Sequence, residues 1–277
     1  MVSTSLTVSI GCVRVTPVLR ERIEHVRERI RQACERCARQ SSSVTLVGVT
    51  KGIPPEIIAE AITHGLTEIG ENRVQEARAK QLALGSRLKA LGSSLQPTAS
   101  SLQPMVRWHL IGHLQRNKAK DAVELFDVIQ SVDSLKLIDE LERQADQRAS
   151  SFKLQAAGND LKPVEVFVQV NISGEETKFG CSPSETQELV GAVMQRPHLR
   201  VHGLMMIAPF SENPELARPH FRSLRTLRDE VVAACGLQSG ACSLSMGMSQ
   251  DFEVAIEEGA DLVRIGTAIF GARGEAT

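Results

Sequence analysis

A strict alternation of short β-branched apolar runs with longer amphipathic stretches constrains this chain most. The runs fall at 44–50, 67–69, 106–111, 127–130, 164–170, 199–206, 242–245 and 261–265. Between them apolar residues recur at helical spacing, as in Ile57, Ile58, Ala61 and Ile62, or Leu135, Ile138, Leu141 and Ala145. Such alternation demands a parallel sheet with right-handed crossovers. Eight units favour an α/β fold closed as a (β/α)8 TIM barrel over an open doubly wound sheet. Neither phosphate fingerprint of the open folds, G-x-G-x-x-G after the first strand or G-x-x-x-x-G-K-[ST], is present.

One extra helix, Pro17 to Arg39, precedes the first strand and carries Val18, Ile23, Val26, Ile30, Ala33 and Cys37 on one stripe. The i,i+3 pairs Glu24/Arg27 and Glu28/Arg31 predict that its other side is a solvated charged face. Residues 1–16, Ser/Thr-rich and without the basic start of a signal peptide, are expected to be a flexible extension. A single barrel domain then spans 17–273. Two surface insertions are expected within it. One is the Ser/Pro-rich stretch at about 92–105, where Ser-Ser-Leu-Gln-Pro occurs twice, and the other is a loop at about 150–162.

The length of 277 residues suits one barrel, since such barrels run to about 250 residues. A net charge of −1 gives no global field toward nucleic acid or a membrane surface, and no apolar run approaches a membrane span. The six cysteines show no paired spacing except Cys34-x-x-Cys37, which lies in a helical pattern without the second pair that a zinc site needs. Helix packing and a reducing, cytoplasmic compartment are the expectation. No exposed apolar stripe is evident, so a monomer is expected.

In a barrel every strand points its carboxyl end at one face, where ligands bind. Those ends are Lys51, Asn72, His113, Gln130, Asn171, Met206, Ser245 and the run after Arg264. Lys51 closes the buried-type strand 44–50 and precedes Pro54-Pro55, which start a helix. It is either a solvated loop lysine or a partly desolvated amine able to attack a carbonyl. Barrels often bind phosphate with the loops after strands seven and eight, here Ser245-Met-Gly-Met-Ser249 and Gly266-Thr267. Those loops are either ordinary tight turns or a cradle of backbone N–H groups and the Ser245 and Thr267 hydroxyls. Arg264 shares a strand face with Leu262 in an apolar strand. It needs either a neighbouring carboxylate or a ligand such as a ring nitrogen or an anion. A strand-end amine, a phosphate cradle and a cation between them match the aldehyde, phosphate and pyridine nitrogen of pyridoxal 5′-phosphate.

Seven segments carry a resemblance. They are Leu46-Val-Gly-Val-Thr-Lys51, Gly70-Glu-Asn-Arg-Val-Gln-Glu-Ala77, Trp108-His-Leu-Ile-Gly-His-Leu-Gln-Arg-Asn-Lys118, Val170-Asn-Ile-Ser-Gly174, Gly203-Leu-Met-Met206, Leu244-Ser-Met-Gly-Met-Ser249 and Val263-Arg-Ile-Gly-Thr-Ala-Ile-Phe-Gly271. From about residue 17 to 273 the chain resembles the pyridoxal phosphate homeostasis proteins, single-domain barrels of the fold-type III, alanine-racemase-like kind with no second β domain. The resemblance implies a Schiff base on Lys51, phosphate contacts from Ser245, Gly266 and Thr267, Asn72 beside the cofactor, and Arg264 facing the pyridine nitrogen. It implies a role for Lys178 in cofactor handling. It also implies a non-catalytic function: holding the cofactor, passing it to apo-enzymes and influencing amino-acid and keto-acid balance.

Two rivals belong to the same fold. An amino-acid racemase resembling it uses a tyrosine as second base, and this chain has no tyrosine. A cofactor-free Schiff-base aldolase would use Lys51 and leave the phosphate loops to a sugar phosphate.

Overall fold

The computed structural model describes residues 17–94, 106–155, 162–175, 177–238 and 240–271. The eight strands are β1 (Thr45–Val49), β2 (Glu68–Glu71), β3 (Arg107–Leu110), β4 (Val128–Val132), β5 (Val164–Gln169), β6 (Leu199–Met205), β7 (Ser243–Met248) and β8 (Leu262–Ile265). They pair in parallel in chain order, and β8 returns to β1 with Thr45 opposite Leu262 and Gly48 opposite Ile265, closing a (β/α)8 barrel. Helix α1 (Pro17–Arg36) precedes β1. Helices α2 (Pro55–Thr63), α3 (Val74–Ser94), α4 (Ala119–Leu125), α5 (Leu135–Gln155), α6 (Pro183–Met194), α7 (Arg218–Cys235), α8 (Phe252–Glu257) and α9 (Thr267–Phe270) follow the eight strands in turn.

Strand side chains alternate between two faces, and this divides the core. Val47, Val128, Phe167, Met205 and Leu262 fill the barrel interior. Val164, Val166, Val168, Val170, Val263 and Ile265 face outward into the layer shared with the helices. Each large side chain buried there contributes roughly 1.5–3 kcal/mol relative to exposure. A capping box starts α6, with Ser182 N–H donating to Glu185 Oε2 at 2.8 Å. Among the described residues no helix is long and apolar enough to cross a membrane.

Several expected boundaries move. Helix α5 runs to Gln155, so Ser150 begins no loop; Ala149 is still buried on the stripe of Leu141 and Ala145. Residues 156–161 of that expected insertion, 95–105 of the first, and the extension 1–16 lie outside the described residues. Strand β7 ends at Met248, not Ser245. A register shift between Ser245 and Met248 lets Met248 pair with Arg264. Gly247 in this irregularity has φ +92°, and a Cβ there would lie 2.6 Å from Ala255 Cβ. The Gly-containing run that looks like a turn is a bulged strand end.

The charged side of α1 is also more than a solvated face. Arg27 donates to the carbonyls of His64 and Gly65 at 3.0 and 2.8 Å. Arg29 binds Glu253 at 2.7 Å and lies over the Phe252 ring. Arg39, which lies beyond the end of α1 at Arg36 and not inside the helix as expected, meets Ala260 O at 2.7 Å and Asp261 at 2.8 Å. Glu24 pairs with Arg20 rather than Arg27, while Glu28 and Arg31 pair as expected. Cys34 is buried, and Cys37, in the turn just past α1, donates from Sγ to Ala33 O in the last turn of the helix.

At the amino-terminal rim Glu165 is surrounded by His202 Nδ1 at 2.8 Å, Arg107 at 2.5 Å and Arg200. The bond from His202, more than any other contact, lowers its carboxyl from an ordinary 4.5 to about 2. A folded-state value below the unfolded one gives stability that is complete above pH 4.5 and is lost as pH falls toward 2. Glu165→Gln is therefore expected to flatten the acid limb of a urea-midpoint-versus-pH curve. An unchanged limb would remove Glu165 as its source.

Candidate functional site

Lys51 follows β1 at the outer corner of a tight turn. Ile53 N–H closes the turn on Thr50 O at 2.9 Å, and Gly52 takes φ +74°, the left-handed region that favours glycine. Thr50 is buried but Lys51 is exposed, so of the two readings of this amine the structure shows the solvated one.

Asn72 follows β2, and its Oδ1 is buried with no hydrogen-bond partner among the described residues. Gly112, after β3, packs on its backbone: a Cβ at 112 would lie 2.3 Å from Asn72 O.

Arg264 points into the barrel beside Leu262 and is 4% exposed. Of its two open partners, a neighbouring carboxylate is not found in contact among the described residues: its Nη1 donates to Ser245 Oγ at 2.6 Å and its Nη2 to Met206 O at 2.7 Å. The Ser245 hydroxyl passes the chain on to Gln130 Oε1 at 2.6 Å, and Gln130 Nε2 reaches His109 Nδ1 at 2.9 Å. His109 Nε2 meets Glu68 Oε2 at 2.5 Å. Assigned this way, every donor points from the guanidinium toward the carboxylate, so each bond polarises the next. Burial pushes the imidazole of His109 down, which keeps it neutral. Burial also lowers the Arg264 guanidinium to about 10, with Asp251 opposing, and it remains a cation at neutral pH.

The two phosphate-type loops meet, with one substitution of residue. Ser245 does not reach them: it is fully buried within β7, with its hydroxyl bonded on both sides. Ser249 takes its place. Its Oγ accepts from the backbone N–H groups of Gly266 at 3.2 Å and Ala268 at 3.4 Å. The cap position of α8 belongs to Asp251, whose Oδ1 accepts from Met248 N–H at 2.6 Å.

A cavity of about 420 Å³ opens at the carboxyl-terminal mouth. Lys51, Asn72, Arg264, Gly266 and Thr267 all line it. Its volume lies within the range of about 300–1,000 Å³ common to small-molecule sites. Other strand-end residues lie elsewhere. Gln130 is committed to the interior chain, His113 stacks on Phe179 at 3.9 Å, and Asn171 Nδ2 donates to Glu175 O at 2.9 Å. Lys178 pairs with Glu175 at 2.8 Å and is not on the lining. Pro209, Phe210 and Asp251 line the cavity without having been singled out, and Ser249 had entered only as the end of the seventh-strand loop, without a contact of its own. For Ser249 the signal was present in the Met-Gly-Met-Ser run, but its use required the true end of β7. Phe210, 76% exposed, is an apolar residue in a connecting loop, and that is its only sequence signal.

The donor set fits a small molecule with a carbonyl at one end, an aromatic nitrogen and a phosphate at the other. The lining brings together the Lys51 amine, the Arg264 side chain, the Gly266–Thr267 turn and the Ser249 hydroxyl, and the buried Asn72 Oδ1 has no donor among the described residues. Residues 22–274 match the family model described as alanine racemase, N-terminal domain. A pyridoxal phosphate homeostasis protein of Aquifex aeolicus is 43% identical over 253 residues, 91% of this chain and 97% of that protein. A crystal structure of an unknown protein from Bifidobacterium adolescentis superposes with a TM-score of 0.78 at 34% identity, covering 93% of this chain and 95% of that one. PipY of Synechococcus elongatus PCC7942, solved with PLP bound, gives 0.71 at 32% identity, covering 91% and 100%. The barrel thus places the chain in the alanine-racemase N-terminal-domain class. Within that class it belongs to the pyridoxal phosphate homeostasis protein family.

Proposed function

We propose that this protein binds pyridoxal 5′-phosphate as a Schiff base on Lys51 and acts in its homeostasis, storing and delivering the cofactor without carrying out a robust reaction. The observation that carries the reading is the convergence of Lys51, Asn72, Arg264, Gly266 and Thr267 on one cavity. The binding of PLP by PipY and the name of the Aquifex relative support it. When bound, the cofactor supplies an aldehyde that takes up amines and a ring that disperses charge.

The chain's residues do the rest. Lys51 offers its amine at the rim. The 266–268 turn, whose Gly266 and Ala268 amides hold Ser249 Oγ in place, takes the phosphate with the hydroxyls of Ser249 and Thr267; Ser245, buried as it is, serves by orienting Arg264. Arg264, which does not give up its proton at neutral pH, holds the ring nitrogen as an acceptor and weakens the ring as an electron sink. With no tyrosine in the chain, proton transfer on the opposite face of the ring lacks the base a racemase resembling this fold uses. An exposed attachment lysine also suits release of the cofactor to apo-enzymes in the cytoplasm by a monomeric carrier.

Borohydride reduction followed by mass measurement tests this reading. The expected result is one cofactor mass added, on the peptide bearing Lys51. No adduct after incubation with cofactor would overturn it. Solvent-deuterium exchange at the α-carbon of a panel of amino acids would instead favour a racemase.

A further inference from the structure

Behind the Lys51 turn lies a buried charged cluster that does not line the cavity. Lys80 on α3 is 6% exposed. Its ammonium donates to Thr50 O at 2.5 Å, Glu71 Oε1 at 2.7 Å and Glu76 Oε1 at 2.6 Å. An ammonium has three N–H groups and here finds three oxygens. Glu71 is fully buried and also accepts from the Thr50 hydroxyl at 2.5 Å. Glu76 Oε1 accepts in addition from Gly52 N–H at 2.6 Å. The carbonyl before Lys51 and the amide after it are therefore tied to one cation, the first directly and the second through Glu76.

Stability alone gives little reason for this arrangement. A buried ion pair is often matched or exceeded by apolar side chains of the same volume, because desolvation offsets the Coulomb gain. Burial raises the Glu71 carboxyl against the pull of Lys80 and Thr50, which is the signature of that desolvation. What the cluster uniquely provides is a fixed backbone on both sides of residue 51. Lys51 itself is exposed, and a free lysine side chain carries large rotamer entropy. Holding its Cα and the direction of its Cβ is the means left to the protein for aiming it.

We infer that Lys80, with Glu71 and Glu76, is a positioning residue that aims Lys51 into the cavity. The inference rests on Lys51 being the attachment point. There the Lys51 amine forms a C=N bond to the aldehyde carbon and one water leaves, so the amine must approach along the carbonyl's line of attack. Binding of the ring and phosphate needs no such aim.

The test compares two ligands on the full chain, pyridoxal 5′-phosphate and pyridoxine 5′-phosphate, whose alcohol cannot form the imine. Lys80→Met is expected to weaken the aldehyde about tenfold through misplacement of the amine. The alcohol should bind unchanged. Glu76→Ala, which frees Gly52 N–H, is expected to weaken the aldehyde about threefold, in line with one lost hydrogen bond. Equal weakening of both ligands would mean the cluster is only structural and overturns the inference. So does unchanged affinity for both. If Lys80→Met gives no cooperative thermal transition, the half-buried Glu76→Ala decides by the same comparison. Absence of the borohydride adduct in the unmodified protein would instead overturn the attachment reading beneath it, a result distinct from equal affinities in a protein that is trapped.

Discussion

Lys51→Ala is expected to abolish borohydride trapping and to weaken pyridoxal 5′-phosphate by about two orders of magnitude, roughly 2.7 kcal/mol. The loss is that of the imine alone. Arg264, the 266–268 turn and Ser249 are untouched by the change, so pyridoxine 5′-phosphate should bind as before. Lys51 is exposed and sits at a turn corner that any residue can occupy, so folding stability should move by no more than about 0.5 kcal/mol. The variant thus separates binding from folding. Trapping that persists on another lysine, such as Lys178, would move the attachment point and with it the role of the Thr50–Ile53 turn. A thermal transition lowered together with binding would mean that Lys51 acts through the fold.

Gly203→Ala is expected to destabilise the barrel by more than about 4 kcal/mol, the range reserved for overpacking and broken cores. Gly203 lies in β6 opposite Phe167 of β5 and Ser243 of β7. A Cβ there would lie 1.9 Å from Ser243 O, 2.7 Å from Ser243 C and 2.8 Å from Phe167 Cε1. The nearest two atoms are backbone, so no side-chain rotation relieves the contact. The strands must part or Phe167, fully buried in the barrel interior, must leave its place. Gly85→Ala is the control, because Gly85 is an exposed helical glycine with nothing within 4 Å of its missing Cβ. It should stabilise by about 0.5–1 kcal/mol through reduced chain entropy and better helix propensity. Urea midpoints measure both. A Gly203→Ala midpoint within the error of the parent would mean that β6 and β7 are not held in this register.

The readings that held depend on patterns short in sequence. Val164, Val166, Val168 and Val170 announce a strand by their own alternation, and Ser182 with Glu185 announces a helix start. Lys51, Asn72, Arg264, Gly266 and Thr267 were reachable because a barrel sends every strand end to one rim. Ser245 was misplaced for a different reason. In a strand, neighbouring residues face opposite sides, so the three-residue extension and bulge of β7 decide which serine sees the cavity. The partners of Arg264 were equally hidden, since Ser245 and Met206 lie 19 and 58 residues away along the chain. Arg27 and Arg29 looked like surface charge because their acceptors lie on α8 and at the end of α2.

Sequence alone determined the eight alternating units, their closure, and the amine at the end of the first strand, because period and punctuation act over a few residues. Tertiary structure alone decided that Ser249 attends the 266–268 turn, that Arg264 is anchored through Ser245, and that Lys80 grips the peptides flanking Lys51. Those outcomes depend on strand register and on charges buried at long range, where a shift of one residue or the arrival of one distant oxygen reverses which side chain faces the ligand.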